Sequence, residues 1–154
     1  MVLLLIKEQN MIKLIDQLSS TDLQAIAQIW LKSNIEAHDF ISKEYWHNNY
    51  QFVLNSFPSA TIYAYYQDKK IVGFLGLIDE YIAGIFVLYE YRSLGIGTQL
   101  LEEAQSDHTQ LTLNVYKKNE NAVQFYLKKE FTIQEEKLDA ETNEIELSMK
   151  WQRS

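Results

Sequence analysis

The chain has no cysteine, one proline and five glycines among its 154 residues. Without cysteine there can be no disulfide, no thiolate metal ligand and no cysteine nucleophile. The absence fits a reducing compartment, so a cytoplasmic location and no metal site are expected. With so little proline and glycine there is no linker-like or low-complexity stretch, and no internal repeat is visible. Cations are also scarce, with 14 Lys and Arg against 21 Asp and Glu, a net charge of −7. Such a chain is poorly suited to nucleic acid and leans toward a basic small molecule or peptide as partner. Long hydrophobic runs are missing too. The stretch Val2, Leu3, Leu4, Leu5, Ile6 is far short of the ~20 residues of a bilayer span, and no small-residue cleavage site follows it. No membrane partner is expected.

What the chain does hold is material for a core. Hydrophobic residues make up 47% and charged residues 23%, too apolar for a disordered chain. One domain is expected over residues 11–154, with residues 1–10 read as an N-terminal extension or a start-site artefact. Residues 11–18 read as a first strand. Ser19, Ser20 and Thr21 then offer helix caps, with Thr21 and Gln24 spaced as a capping box. Leu23, Ile26, Ala27, Trp30 and Leu31 follow at helical spacing. A second helix begins at the Ser42 cap, carries Trp46, Tyr50, Val53, Leu54 and Phe57, and is stopped by Pro58. Residues 61–67 and 71–78 read as a hairpin. Strands at 81–88 and 111–116 bracket a helix carrying Leu100, Leu101 and Ala104, the length of a right-handed parallel crossover. A helix capped by Asn119, a short strand at 131–134 and a half-buried closing strand through Ile145, Leu147, Met149 and Trp151 complete a mixed α/β pattern.

Residues 85–101 carry the strongest chemical signal. An apolar strand ends in a short turn, Gly95 and Gly97 follow one residue apart, and a helical pattern begins. The first N–H groups of a helix have no intrahelical partner and its dipole is positive there, so the junction suits a phosphate or pyrophosphate. Arg92 adds a cation at the mouth. A dinucleotide fingerprint is excluded because Leu100 holds the third glycine position, and no Walker lysine follows. The other reading is a turn whose glycines serve tight packing. The segment His38, Asp39, Phe40, Ile41 is aromatic and titratable; it either faces a ligand or simply staples the second helix.

The loop Arg92-Ser93-Leu94-Gly95-Ile96-Gly97 resembles the acyl-coenzyme A pyrophosphate loop of the GNAT N-acetyltransferases. Downstream, Asn114-Val115-Tyr116, then Asn119, Ala122, Phe125, Tyr126 and Phe131, resemble that family's next strand and helix, so the match covers about residues 82–131. Residues 37–45 are similar to an uncharacterised bacterial subgroup of the family. The resemblance implies a single-domain α/β GNAT fold: a mixed, mostly antiparallel sheet of six to seven strands, a splayed parallel pair at 81–88 and 111–116, and four flanking helices. It also implies acetyl-CoA as donor, an unidentified primary amine as acceptor (small molecule, peptide N-terminus or lysine) and direct attack in a ternary complex. A second copy of the chain is a possible partner.

The same resemblance assigns roles. The pantetheine arm pairs with the backbone of Ile85 and Val87, and an N–H near Phe86 or Val87 meets the acetyl carbonyl. The pyrophosphate sits on the N–H groups of Ser93, Leu94, Gly95, Ile96, Gly97 and Thr98, beside Arg92. Asn119 contacts the pantetheine or positions its helix. Tyr126 is the expected general acid toward the coenzyme A thiolate, or else a core aromatic. For the general base Glu80 comes first and His38 second, with a water chain as the alternative to both. Trp30, Phe40, Tyr45, Trp46 and Tyr63 line an acceptor pocket or fill the core, core being the assignment for Trp30 and Trp46. Ser93, Leu94, Tyr89 and Glu130 depart from the family's usual residues. Glu130 stands where glycine is frequent and costs ~1 kcal/mol if the turn needs a positive φ. The competing function is a non-catalytic acyl-CoA-binding sensor or scaffold.

Overall fold

A computed structural model describes residues 10–154. The expected extension 1–10 therefore lies outside the described residues except for Asn10, which opens the first strand. The elements are β1 (Asn10–Ile15), α1 (Ser20–Ala37), α2 (Lys43–Ser56), β2 (Thr61–Gln67), β3 (Lys70–Ile78), β4 (Tyr81–Val87), α3 (Ile96–Asp107), β5 (Gln110–Tyr116), α4 (Glu120–Lys128), β6 (Thr132–Asp139) and β7 (Glu144–Gln152). They form one seven-stranded sheet in the order β1-β2-β3-β4-β5-β7-β6. Every neighbouring pair is antiparallel except β4 and β5.

Period-two alternation decides which face each strand residue serves. On β2, Ile62 and Ala64 pack with Ile26, Ala27 and Ile29 of α1 and with Phe57. Tyr63 and Tyr65 turn to the other face and join Leu100, Leu101 and Ala104 of α3. Leu111, Leu113 and Val115 of β5 and Leu147, Met149 and Trp151 of β7 share that second core with Val123 and Tyr126 of α4. The sheet is therefore a three-layer sandwich filling. Among the described residues no helix is long and apolar enough to cross a membrane.

Three local expectations need correction. The first strand ends at Ile15. The cap of α1 is Ser19, whose side chain accepts from the Asp22 N–H, so the cap lies two residues before Thr21. The strand expected at 131–134 runs to Asp139, because β6 is an outer strand exposed along nearly all its length and lacks the apolar alternation that marks a buried one. Pro58 acts as expected, sitting in a single 3₁₀ turn, Phe57–Ser59, that follows α2.

The feature that creates a site lies in β4. Gly76 pairs with Gly84 and Leu77 with Ile82, which leaves Ala83 as an extra residue. Such a bulge bends its strand. Across the parallel seam β4 and β5 pair only at Tyr81 with Thr112 and Ile82 with Leu113. Beyond Ile82 the strands part, and the edge of β4 that would face β5 is left without a strand.

Candidate active site

Two cavities open along this gap. One, about 450 Å³, is walled by Ile85, Phe86 and Val87 of β4, by Arg92 and Gly97 of the glycine loop, and by Asn119, Ala122 and Tyr126. The other, about 230 Å³, adjoins it and includes Trp46, Tyr81, Asn114, Tyr116 and Glu146. His38, Asn119 and Tyr126 line both. The cavities meet at Tyr126.

The glycine loop is shaped for an anion. Gly95 precedes α3 at φ 79 without a side-chain cap, and the first helical bond runs from the Gln99 N–H to the Gly95 carbonyl. The N–H groups of Ile96, Gly97 and Thr98 thus have no intrahelical acceptor. Ser93 also takes a left-handed conformation, φ 65, which turns the loop over the helix start. Packing does not account for the glycines. A Cβ on Gly95 would meet nothing within 4 Å, and on Gly97 it would reach ordinary contact with Phe125 at 3.8 Å. Ser93, Gly95, Ile96, Gly97 and Thr98 border a hollow of about 250 Å³ with Arg92. Arg92 donates to Glu36 at 3.1 Å and to the Val87 carbonyl at 3.2 Å, which ties the loop to α1. That ion pair is half exposed and contributes ~1 kcal/mol at most, so an incoming phosphate can compete for the guanidinium. Leu94 lies exposed and borders none of these hollows.

Tyr126 is positioned by the end of its own helix. The Phe131 N–H bonds the Tyr126 carbonyl and the Glu130 N–H bonds that of Leu127, with Glu130 at φ 70. This is a Schellman motif whose apolar contact is the Tyr126–Phe131 ring pair, 5.4 Å apart. Among the described residues no protein group hydrogen-bonds the Tyr126 hydroxyl. Burial, and then the neighbouring Tyr81, push its pKa up, so the phenol stays protonated at neutral pH.

Asn119 fixes both the start of α4 and the state of His38. Its Oδ1 accepts from the Ala122 N–H, so its Nδ2 faces His38 Nε2 at 3.1 Å. His38 Nε2 therefore accepts, and Nδ1 carries the proton and donates to the Asn34 carbonyl at 3.0 Å. Burial lowers the His38 pKa against the opposing pull of that carbonyl, and the ring stacks on Trp46 at 5.2 Å. Burial and the Asn119 amide select the neutral imidazole.

Glu80 lies elsewhere. It precedes β4 at the end away from the glycine loop, its carboxylate accepts from Gln110 Nε2 at 3.2 Å, and it borders neither cavity. Tyr63 is also remote from both, donating to Asp107 at 2.7 Å, whereas Trp30 and Trp46 pack edge to face and border the smaller cavity. The carboxylate in the wall of the smaller cavity is Glu146, whose pKa is raised by burial and by Asp139, with Lys137 opposing. Asp139 itself is held below its ordinary value. Burial would raise it, but bonds from Tyr116, Thr142 and the Glu141 N–H prevail. Tyr45 donates to Glu141 and is pushed up to about 12 by burial and that bond. Together these tie the β6–β7 turn to α2. Sequence reading missed Glu146, Tyr81 and Asn114. Strand alternation gave their faces but not the gap they border.

The acetyltransferase (GNAT) domain family matches residues 58–133. Peptidyl-lysine N-acetyltransferase YiaC of Escherichia coli is 31% identical over 122 residues, 78% of this chain and 84% of the relative. Peptidyl-lysine N-acetyltransferase YjaB of the same bacterium is 32% identical over 111 residues, 71% of this chain and 76% of the relative. The solution structure of apo YjaB from Escherichia coli superposes with a TM-score of 0.80 at 26% identity, over 95% of this chain and 99% of that one. A PaiA N-acetyltransferase from Thermoplasma acidophilum, solved with coenzyme A, shares the fold at a TM-score of 0.73 and 21% identity, covering 94% and 99%. This chain belongs to the GNAT family. Within it, it is an acetyl-CoA-dependent N-acetyltransferase, and the loop, the open strand edge and the larger cavity fit that donor.

Proposed function

We infer that the chain transfers the acetyl group of acetyl-CoA to the ε-amine of lysine in a peptide or protein. One observation carries the reading: two cavities, one reaching the anion-binding loop and one holding an acidic side chain, meet at a buried, protonated tyrosine. The names of the relatives at 31% and 32% identity support lysine as the acceptor.

In this reading the N–H groups from Ser93 to Thr98, with Arg92, hold the pyrophosphate. The backbone of Ile85 and Val87 takes the pantetheine as an added strand, since β5 leaves that edge free. An N–H near Phe86 or Val87 stabilises the oxyanion. The amine attacks the thioester carbon directly, and Tyr126 gives its proton to the departing sulfur while its phenolate takes one from the new amide nitrogen. Asn119 keeps α4, and so Tyr126, in place. His38 serves that arrangement from its neutral state.

The test is mass spectrometry of a lysine-containing peptide with a blocked N-terminus, incubated with protein and acetyl-CoA. Acetylation of the lysine Nε is expected. Acetylation confined to free α-amines or to small amines would contradict the lysine assignment.

A further inference from the structure

Two carboxylates border the two joined cavities, Glu36 and Glu146. Glu36 is engaged by Arg92 at the donor end. Glu146 borders the smaller cavity, projecting from β7, where it stands opposite Tyr116 of β5 and Lys137 of β6. Of the other acids of the same hairpin, Glu135 is exposed on the outer strand and lines neither cavity, and the rest are engaged. Glu136 pairs with Lys117, Glu144 with Lys118, Glu141 accepts from Tyr45, and Asp139 is saturated by Tyr116, Thr142 and a backbone N–H. Glu146 makes no ion pair among the described residues, although Lys137 stands opposite it on the exposed outer strand. Around it the cavity wall is aromatic, with Trp46, Tyr81 and Tyr116, and aromatic faces attract a cation.

We propose that Glu146 selects a cationic acceptor and takes its proton: the ammonium enters the smaller cavity and rests on this carboxylate beside Tyr126. This rests on the acetyl-transfer reading and names the residue that completes it. The nearby alternatives are committed elsewhere. His38 Nε2 is occupied by Asn119, and Glu80 is bound to Gln110 outside the cavity.

The step balances as follows. One N–H bond of the ammonium breaks, its electron pair stays on nitrogen, and the proton forms an O–H bond on Glu146. The free amine forms the N–C bond to the thioester carbon. When the C–S bond breaks, sulfur takes the Tyr126 proton and the phenolate recovers one from nitrogen. The products are the amide, the coenzyme A thiol and a proton on Glu146, which passes to solvent.

The experiment compares wild type, Glu146→Gln and Glu136→Gln. Glu136→Gln makes the same change of charge on the outer strand. Each is assayed with a blocked lysine peptide, with a small alkylammonium, and with a weakly basic amine already neutral at the assay pH; acetyl-CoA affinity is measured by calorimetry. Glu146→Gln is expected to lower kcat/KM for the cationic acceptors roughly 100-fold, the scale of a lost general base. It should leave acetyl-CoA affinity within about twofold and lose far less with the neutral amine, while Glu136→Gln behaves as wild type. Unchanged kcat/KM in Glu146→Gln, or equal losses on charged and neutral amines, overturns the proposal. A wild type that acetylates the alkylammonium but not the peptide sinks the lysine assignment alone, and the same comparison still decides Glu146. A wild type that acetylates no amine sinks both.

Discussion

At the scale of single residues, the site depends on side chains whose protonation is set by their surroundings. His38 is neutral because it is buried and its Nε2 must accept from Asn119, which together outweigh the Asn34 carbonyl's pull toward the charged form. In the unfolded chain the same imidazole takes up a proton as pH falls through about 6.5, and in the folded chain only at lower pH. The unfolded state then binds more protons, so stability is lost as pH falls from 6.5 toward the lowered folded value. Chemical denaturation at a series of pH values from about 7.5 to about 5.5 should show a steeper loss in wild type than in His38→Gln, and parallel curves would contradict this account. A second prediction concerns Glu130, a non-glycine residue at φ 70 in the Schellman turn after α4. Glu130→Gly should raise the unfolding free energy by about 1 kcal/mol, less the entropy glycine adds to the unfolded chain, as read from a denaturation midpoint. A destabilised variant would mean that the turn draws on the Glu130 side chain.

At the scale of elements, the bulge at Ala83 and the start of α3 divide the work. The bulge opens β4 from β5, where the proposed reading seats the arm of the donor, and the helix start offers the N–H groups proposed to receive its charge. Gly97 has room for a Cβ but borders both the loop hollow and the larger cavity. Gly97→Glu therefore puts a carboxylate where a pyrophosphate must sit, with little demand on the core. Calorimetric titration should show saturable acetyl-CoA binding to wild type and a loss of at least about 100-fold in the variant, about 2.7 kcal/mol. Retained binding would remove the loop from the donor site.

At the scale of the whole molecule, much of the architecture is legible in the sequence because the sheet is two-sided. The Ile62/Ala64 and Tyr63/Tyr65 alternation, the crossover from β4 to β5 and the glycine loop are local patterns with one physical meaning each. The donor half of the site follows from them, since backbone N–H groups at a helix start do not depend on distant partners. The proposed acceptor half was hidden. Glu146 and Tyr81 are 65 positions apart in the chain; they share a cavity because β7 pairs with β5 while β4 pulls away from it. Glu80 is adjacent to β4 in the sequence, but it lies at the end of that strand away from the glycine loop and borders neither cavity. The length of β6 was hidden for a different reason: an outer strand with both faces in water carries no apolar period.

The central claim is that Tyr126, where the two cavities meet, serves the chemistry of acetyl transfer rather than the grip on acetyl-CoA. Steady-state kinetics and acetyl-CoA calorimetry on wild type and Tyr126→Phe test it most directly. The account predicts that removing the hydroxyl lowers kcat by about 100-fold or more and leaves the acetyl-CoA Kd within about twofold. An equal loss in both, or an unchanged kcat, would make Tyr126 a packing residue and contradict the account.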